Sequence, residues 1–403
     1  MKSLKLILLA CFLLLIGAEN VQAVQNENEV NEPDTEPDTE PDTDYVTNQI
    51  NNLGLEELTE YWDAIVTEYG SYLPESQRGT LLEFVKGEKT FSIEGWLRGF
   101  IAFAFQEVVM NAKLLGAIIM LSIFSAILQS LHNAFENGAV SKIAYSVIFM
   151  VLIIMALNSF RIAADYAVSA IDAMSQFIFA LLPLVLALIA SSGGVASSTF
   201  FHPVLIFLIN VSGIVIKNIV LPLLFLSTLL SITSALSGQF KVTQLSGLLQ
   251  KASVGVLGIF VTILLGVISV QGTATAVADG VAIKTAKFVA GNAIPVVGRM
   301  FTDAADTVIT ASLLLKNTVG IAGAAIVLLI AVFPAIKILV ISFMYKLAAA
   351  FMQPLGDGPV IECLNIVSKN MLYIFASLAI ISFMFFLSIT ILVASGNITM
   401  MIR

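Results

Sequence analysis

The chain has 403 residues, 58% of them hydrophobic and only 12% charged, with a formal net charge of -8 and a mean hydropathy of +0.94. A water-soluble domain of this length does not need so apolar a composition, which excludes a soluble globular enzyme and gives no reason to expect a nucleic-acid partner. The charge is divided: the first 94 residues hold 19 of the 28 Asp and Glu, whereas residues 95–403 hold 9 acids against 15 Lys plus Arg.

Residues 1–23 read as a cleavable secretory signal. Lys2 and Lys5 supply the basic start, Leu6–Ile16 the apolar stretch, and Val21-Gln22-Ala23 a small-residue cleavage site. Eleven apolar residues are too few to cross a hydrocarbon core of ~30 Å. Removal of the signal leaves Cys363 as the single cysteine, which rules out an intramolecular disulfide. Residues 24–44 carry Glu-Pro-Asp-Thr three times in succession, from Glu32 to Thr43. Proline at every fourth position blocks helix and sheet ladders, and dense carboxylates repel, so an extended acidic linker is expected.

Residues 45–97 form a small helical head placed on the exported side. Leu55, Leu58, Trp62, Ile65 and Tyr69 recur at spacings of three and four, which puts them on one helical face. Pro74 suits the start of a second helix ending at Gly87, and Ser92 can cap a third beginning near Ile93. So small a core does not stand alone, and the expectation is a docking element on the membrane surface or against a partner.

Residues 98–403 read as a polytopic membrane domain. Apolar windows give spans at 114–131, 143–160, 175–190, 204–236, 252–271, 318–341 and 371–395. The expected fold is therefore all-α, with about seven transmembrane helices (range six to eight) and an interfacial segment at 96–113. The window 204–236 is interrupted by Lys217, Asn218 and Pro222, and reads either as one tilted helix or as two short ones. Residues 272–317 are too polar to span and too apolar for a free loop, and read as an amphipathic surface helix or a re-entrant one. Within them Arg299, Asp303, Asp306 and Thr310 follow one stripe, just after the break set by Pro295.

Chemistry-bearing patterns are sparse. His132 and His202 have no His or Cys neighbour at metal-ligand spacing. No phosphate-cradling Gly-Lys-Ser/Thr loop and no nucleophile motif occurs, so no enzyme activity, metal or cofactor is expected. The turn Ser191-Ser192-Gly193-Gly194 could present backbone amides to a substrate, or be ordinary turn chemistry. A lysine inside an apolar run costs about 2.5–3.5 kcal/mol on insertion scales, so Lys217 either pairs with a carboxylate such as Asp172 or Glu107 or sits at an interface. Lys217, Arg299, Asp303 and Asp306 are the candidate polar path or gate. Small residues such as Gly255, Gly258 and Ala322–Ala325 allow close helix packing, in a bundle or a homo-oligomer.

Several stretches carry a resemblance: Leu186–Gly194, Gly266–Gly272, and Thr285–Gly320 with Ile294–Asp303 and Ser312–Gly320 inside it. Through nearly its whole length the sequence resembles the stage III sporulation protein AE family of endospore-forming bacteria. The acidic repeats are not part of that likeness. The resemblance implies a multi-pass subunit in the mother-cell membrane around the forespore. It implies membership of an export-like assembly with a secretion-type ATPase, ring-forming membrane proteins and, indirectly, a forespore membrane partner, supporting late forespore gene expression. It transfers no catalytic residue. The rivals are a stand-alone secondary transporter and a non-conducting scaffold for the ring proteins.

Overall fold

The computed structural model describes residues 56–74, 93–134, 139–236, 242–293, 297–355 and 358–401. The signal, the acidic repeats and the expected second head helix lie outside them. Among the described residues there are nine α-helices and no strand. They are α1 (Glu56–Tyr69), α2 (Ile93–Met110), α3 (Ala112–Ala134), α4 (Ala139–Ser191), α5 (Val195–Val215), α6 (Leu221–Leu236), α7 (Thr243–Ala293), α8 (Val297–Met352) and α9 (Pro359–Met401). A π-helical segment, Ile216–Val220, joins α5 to α6, and a 3-10 turn, Gln353–Leu355, follows α8.

Among the described residues, six helical stretches are long and apolar enough to cross a membrane: Ala112–Ser130, Ser146–Ser191, Val195–Ala235, Thr243–Val270, Ile309–Met352 and Pro359–Ala394. The chain is an all-α, polytopic membrane protein. The count falls from seven to six because the expected spans 143–160 and 175–190 are one 53-residue helix, α4. Arg161, Asp165 and Asp172 interrupt its hydropathy without breaking the helix. Residues 161–174 contain no Gly or Pro, and Ala163, Ala167 and Ala170 are buried good helix formers. The window 204–236 is likewise one rod and not two helices. Pro222 cannot donate to the carbonyl four residues back, and the π turn immediately before it absorbs the mismatch without a reversal.

Residues 272–317 are not a separate helix. Residues 272–293 continue α7 and 297–317 open α8, while Pro295 lies outside the described residues. The expected interfacial segment 96–113 ends at Asn111, between α2 and α3. There the Asn111 amide donates to the Glu107 carbonyl (2.9 Å) and to its carboxylate (3.2 Å).

The long helices run antiparallel in a constant register. Along α4 and α8, the Tyr345 hydroxyl donates to Ser159 (2.9 Å), Lys337 faces Tyr166, and Gly323 lies against Leu181. Along α8 and α9, Lys346 donates to Asn365 (2.7 Å), Ser342 to the Ser368 carbonyl (2.8 Å), and Lys316 to the Val393 carbonyl (2.9 Å). The α5–α6 rod pairs with α7 through Ser197–Thr275, Ser253 to the Val220 carbonyl and Ser227–Ser246. Gln250 of α7 donates to Asn370 of α9 (2.9 Å). These small hydroxyl and amide contacts hold helices whose apolar faces gain nothing from leaving lipid for one another.

The apolar stripe of α1 is covered by the chain's own bundle, not by an outside surface. Trp62 and Ile65 are buried, and Tyr61 meets Phe177 of α4 edge-on at 5.2 Å.

Candidate functional site

Four helices converge on one aromatic cluster. The Tyr69 ring at the end of α1 stacks on Phe333 of α8 at 3.9 Å, and Phe103 of α2 meets both rings edge-on, at 5.7 and 5.1 Å. The Lys337 ammonium lies 5.8 Å from the Tyr69 ring centroid and 5.4 Å from that of Tyr166, within cation–π range. Glu107 of α2 is nearly buried beside them. Burial first, then the hydrogen bond and charge of Glu68 and the charge of Glu107, push the Tyr69 hydroxyl well above the usual phenol range. Tyr69 therefore stays neutral, and its contribution is its ring. Tyr69→Ala is expected to cost about 2 kcal/mol of local stability, toward the lower end for loss of a large side chain because the ring is only partly buried. Limited proteolysis should then cut α1 sooner than in the parent chain.

The second feature is Lys217. It stands in the π turn, and its ammonium donates to the Asp172 carboxylate of α4 at 2.7 Å, both side chains about 40% exposed. Of the two partners expected from sequence, Asp172 is the one it meets. One turn along α4, a cavity of about 520 Å³ is lined by Tyr61, Ser175, Gln176, Phe179, Pro183 and Ile209. Because π turns aim side chains differently from an α-helix and recur at functional positions, this pair is the geometric focus of the described membrane body.

The remaining candidates do not join it. Arg299, Asp303 and Asp306 lie in the opening turns of α8, with side chains outside the described residues. Asp172 is level with α8 near residue 332, so Asp303 lies about thirty residues further along the axis, roughly 40 Å away at 1.5 Å per residue. A polar path using both groups would pass them in succession and not at one constriction.

The third feature escaped sequence reasoning. Asp279 of α7 is 2% exposed and accepts hydrogen bonds from the backbone amides of Ala196 (2.7 Å) and Ser197 (2.9 Å) at the start of α5. It caps the positive end of a helix that no residue of its own caps. The turn before it is tight: Gly193 has φ +90°, and a side chain there would strike Ile283. The amides that follow this turn are thus engaged by a carboxylate of the chain itself. The available signal was a lone acid within the neutral stretch Ala274–Ala282. Among the described residues no three His, Cys, Asp or Glu side chains come together to hold a metal ion, and His202 is exposed.

The model of one protein family, described as stage III sporulation protein AE, matches residues 76–396. The chain belongs to this family. It is also 55% identical over 404 residues to the stage III sporulation protein AE of Bacillus subtilis (strain 168), with all of both chains covered. No solved structure matches it. A stage III sporulation protein AE chain has a role in sporulation, and here it is a multi-pass membrane protein. The family match takes in the aromatic cluster's α2 and α8, the Lys217–Asp172 pair and Asp279, and it starts after the acidic repeats.

Proposed function

We propose that this chain is a membrane subunit of the mother-cell export or channel complex that connects mother cell and forespore and supports late forespore gene expression. The observation that carries this is the full-length, 55% identity to a stage III sporulation protein, in a chain built almost wholly of apolar helices. Its partners are a secretion-type ATPase and ring-forming membrane proteins, with a forespore membrane partner reached indirectly. It sits in the mother-cell membrane around the forespore, with its N-terminal head exported. Absence of a nucleotide-binding loop from the sequence fits a subunit whose energy comes from a companion, and the subunit carries out no catalytic step.

Affinity purification of the tagged chain from sporulating cells in mild detergent tests the proposal. Co-recovery of a secretion-type ATPase and ring-forming proteins is expected. Recovery of this chain alone, under conditions that preserve other membrane complexes, would favour a stand-alone transporter.

A charge series separates a conducting role from a scaffold. Lys217→Ala and Asp172→Ala each strand one charge, and both should lower spore yield more than the exchanged pair Lys217→Asp with Asp172→Lys. Because both side chains are about 40% exposed, the pair contributes no more than about 1 kcal/mol to stability, so protein levels should hardly change. Full spore yield from all three variants would favour a non-conducting scaffold.

A further inference from the structure

Three of the apolar stretches end beside a lysine: 252–271 begins just after Lys251, 371–395 just after Lys369, and 318–341 stops shortly before Lys346. In the fold these three ends meet. Gln250 of α7 donates to Asn370 of α9 at 2.9 Å, and the Lys346 ammonium of α8 donates to Asn365 of α9 at 2.7 Å. Lys346 is therefore level with Asn365, and Lys251 with about Met371, a spread of roughly 9 Å along α9.

The lysines also share a side. Lys251 follows Gln250 and Lys369 precedes Asn370, on helices that run parallel from this bond toward Asp279 and Val393. One residue is about 100° of helix, so these opposite steps turn both lysines to the same side of the α7–α9 seam. Glu362, Asn365 and Lys369 recur at spacings of three and four on that face of α9. With Ile366 and the first turn at Gly358 and Pro359 they line a cavity of about 590 Å³, inside the range of about 300–1,000 Å³ usual for small-ligand sites.

Lys251, Lys346, Lys369 and Glu362 are all exposed, and among the described residues neither Lys251 nor Lys369 has a hydrogen-bonding or ionic partner. Three ammoniums against one carboxylate leave the groove positive, and the positive end of α9 opens on the same cavity. Beyond Lys369 this face continues through exposed Leu372 and half-buried Tyr373, Ala376 and Ile380, without a charge. A ligand that fits both parts carries a phosphate at the lysines and an apolar tail along α9. A lone lysine at the end of a span snorkels to water, whereas a basic pocket between membrane helices is suited to a lipid headgroup.

We propose that this groove binds a phosphate group, supplied by the headgroup of an anionic phospholipid. Lys369 and Lys251 donate to the phosphate oxygens, and Lys346 approaches from α8, where Asn365 holds it. Glu362, two turns before Lys369 and roughly 10 Å from it along the axis, repels anionic charge at the far end of the cavity.

The test uses the full chain, purified in an uncharged detergent and titrated with dioleoylphosphatidylglycerol, dioleoylglycerol or inorganic phosphate, with the unfolding temperature as readout. Phosphatidylglycerol should raise that temperature saturably. Lys369→Gln with Lys251→Gln should move the midpoint of the titration to about tenfold more lipid or beyond. Glu362→Gln should move it several-fold in the opposite direction, a gain that a misfolded variant cannot give. Lys284→Gln, exposed on α7 roughly 50 Å along the helix from Lys251, should leave it unchanged. Dioleoylglycerol has the same chains without the phosphate, and should give no effect that these substitutions alter. Protection by inorganic phosphate at equally low concentration, with the same dependence on Lys369 and Lys251, would keep the site and overturn the headgroup as its source. A midpoint that neither the lysine exchanges nor Glu362→Gln moves, or that Lys284→Gln moves as far, would overturn the site itself.

Discussion

Asp279→Ala is expected to be the most damaging single substitution in the membrane body, lowering stability by about 3–6 kcal/mol. The carboxylate is 2% exposed and takes both amide bonds at the start of α5. Each hydrogen bond to a charged group contributes about 1.5–3 kcal/mol, and removing the carboxylate leaves the buried Ser197 amide without its partner. Asp279→Asn keeps one acceptor but turns an NH2 group toward the second amide, so an intermediate loss is expected. Thermal unfolding of the purified chain in detergent should rank the parent above Asn and Asn above Ala. An Ala variant as stable as the parent would show that the amides of Ala196 and Ser197 find another acceptor.

Gly320→Leu should come next. A Cβ at this position would run into the Val393 side chain, so α8 and α9 meet here almost backbone to side chain. One turn away Lys316, fully buried, donates to the Val393 carbonyl at 2.9 Å. Overpacking alone costs about 1–3 kcal/mol. Prising the helices apart also stretches a bond to a buried ammonium, which brings the expected loss to about 3–5 kcal/mol. Gly255→Leu is the control: it sits on an exposed face of α7 where a side chain meets nothing, and its unfolding temperature should match the parent's. If both variants unfolded alike, the α8–α9 contact would not be what requires a glycine at 320.

Much of the architecture was legible in composition and spacing. The apolar stretches 114–131, 252–271, 318–341 and 371–395 all fall inside single helices, and the stripe through Trp62, Ile65 and Tyr69 marks the helix α1. For Lys217 the sequence left open a carboxylate partner, Asp172 or Glu107, or an interface position, and the structure pairs it with Asp172. Hydropathy failed where charge and helix propensity disagree. Arg161, Asp165 and Asp172 look like a loop on a hydropathy scale, yet alanine-rich residues 161–174 continue the helix because nothing in them breaks it. The 272–317 segment is shared by two long helices, the last turns of α7 and the first of α8, so its mixed polarity belongs to two helix ends and not to an element of its own.

The sequence alone determined that this is an all-α membrane chain of the stage III sporulation protein AE family, because apolar runs and family stretches are local properties. Only the tertiary structure decided which distant residues share a height. Asp279 meets the start of α5 across more than eighty positions, and Lys337 is brought between Tyr69 and Tyr166 by three separate helices. These meetings follow from the antiparallel register of the long helices. That register is set by side chains such as Ser159, Tyr345, Ser342 and Ser368 meeting across helices, a long-range choice that no window along the chain contains.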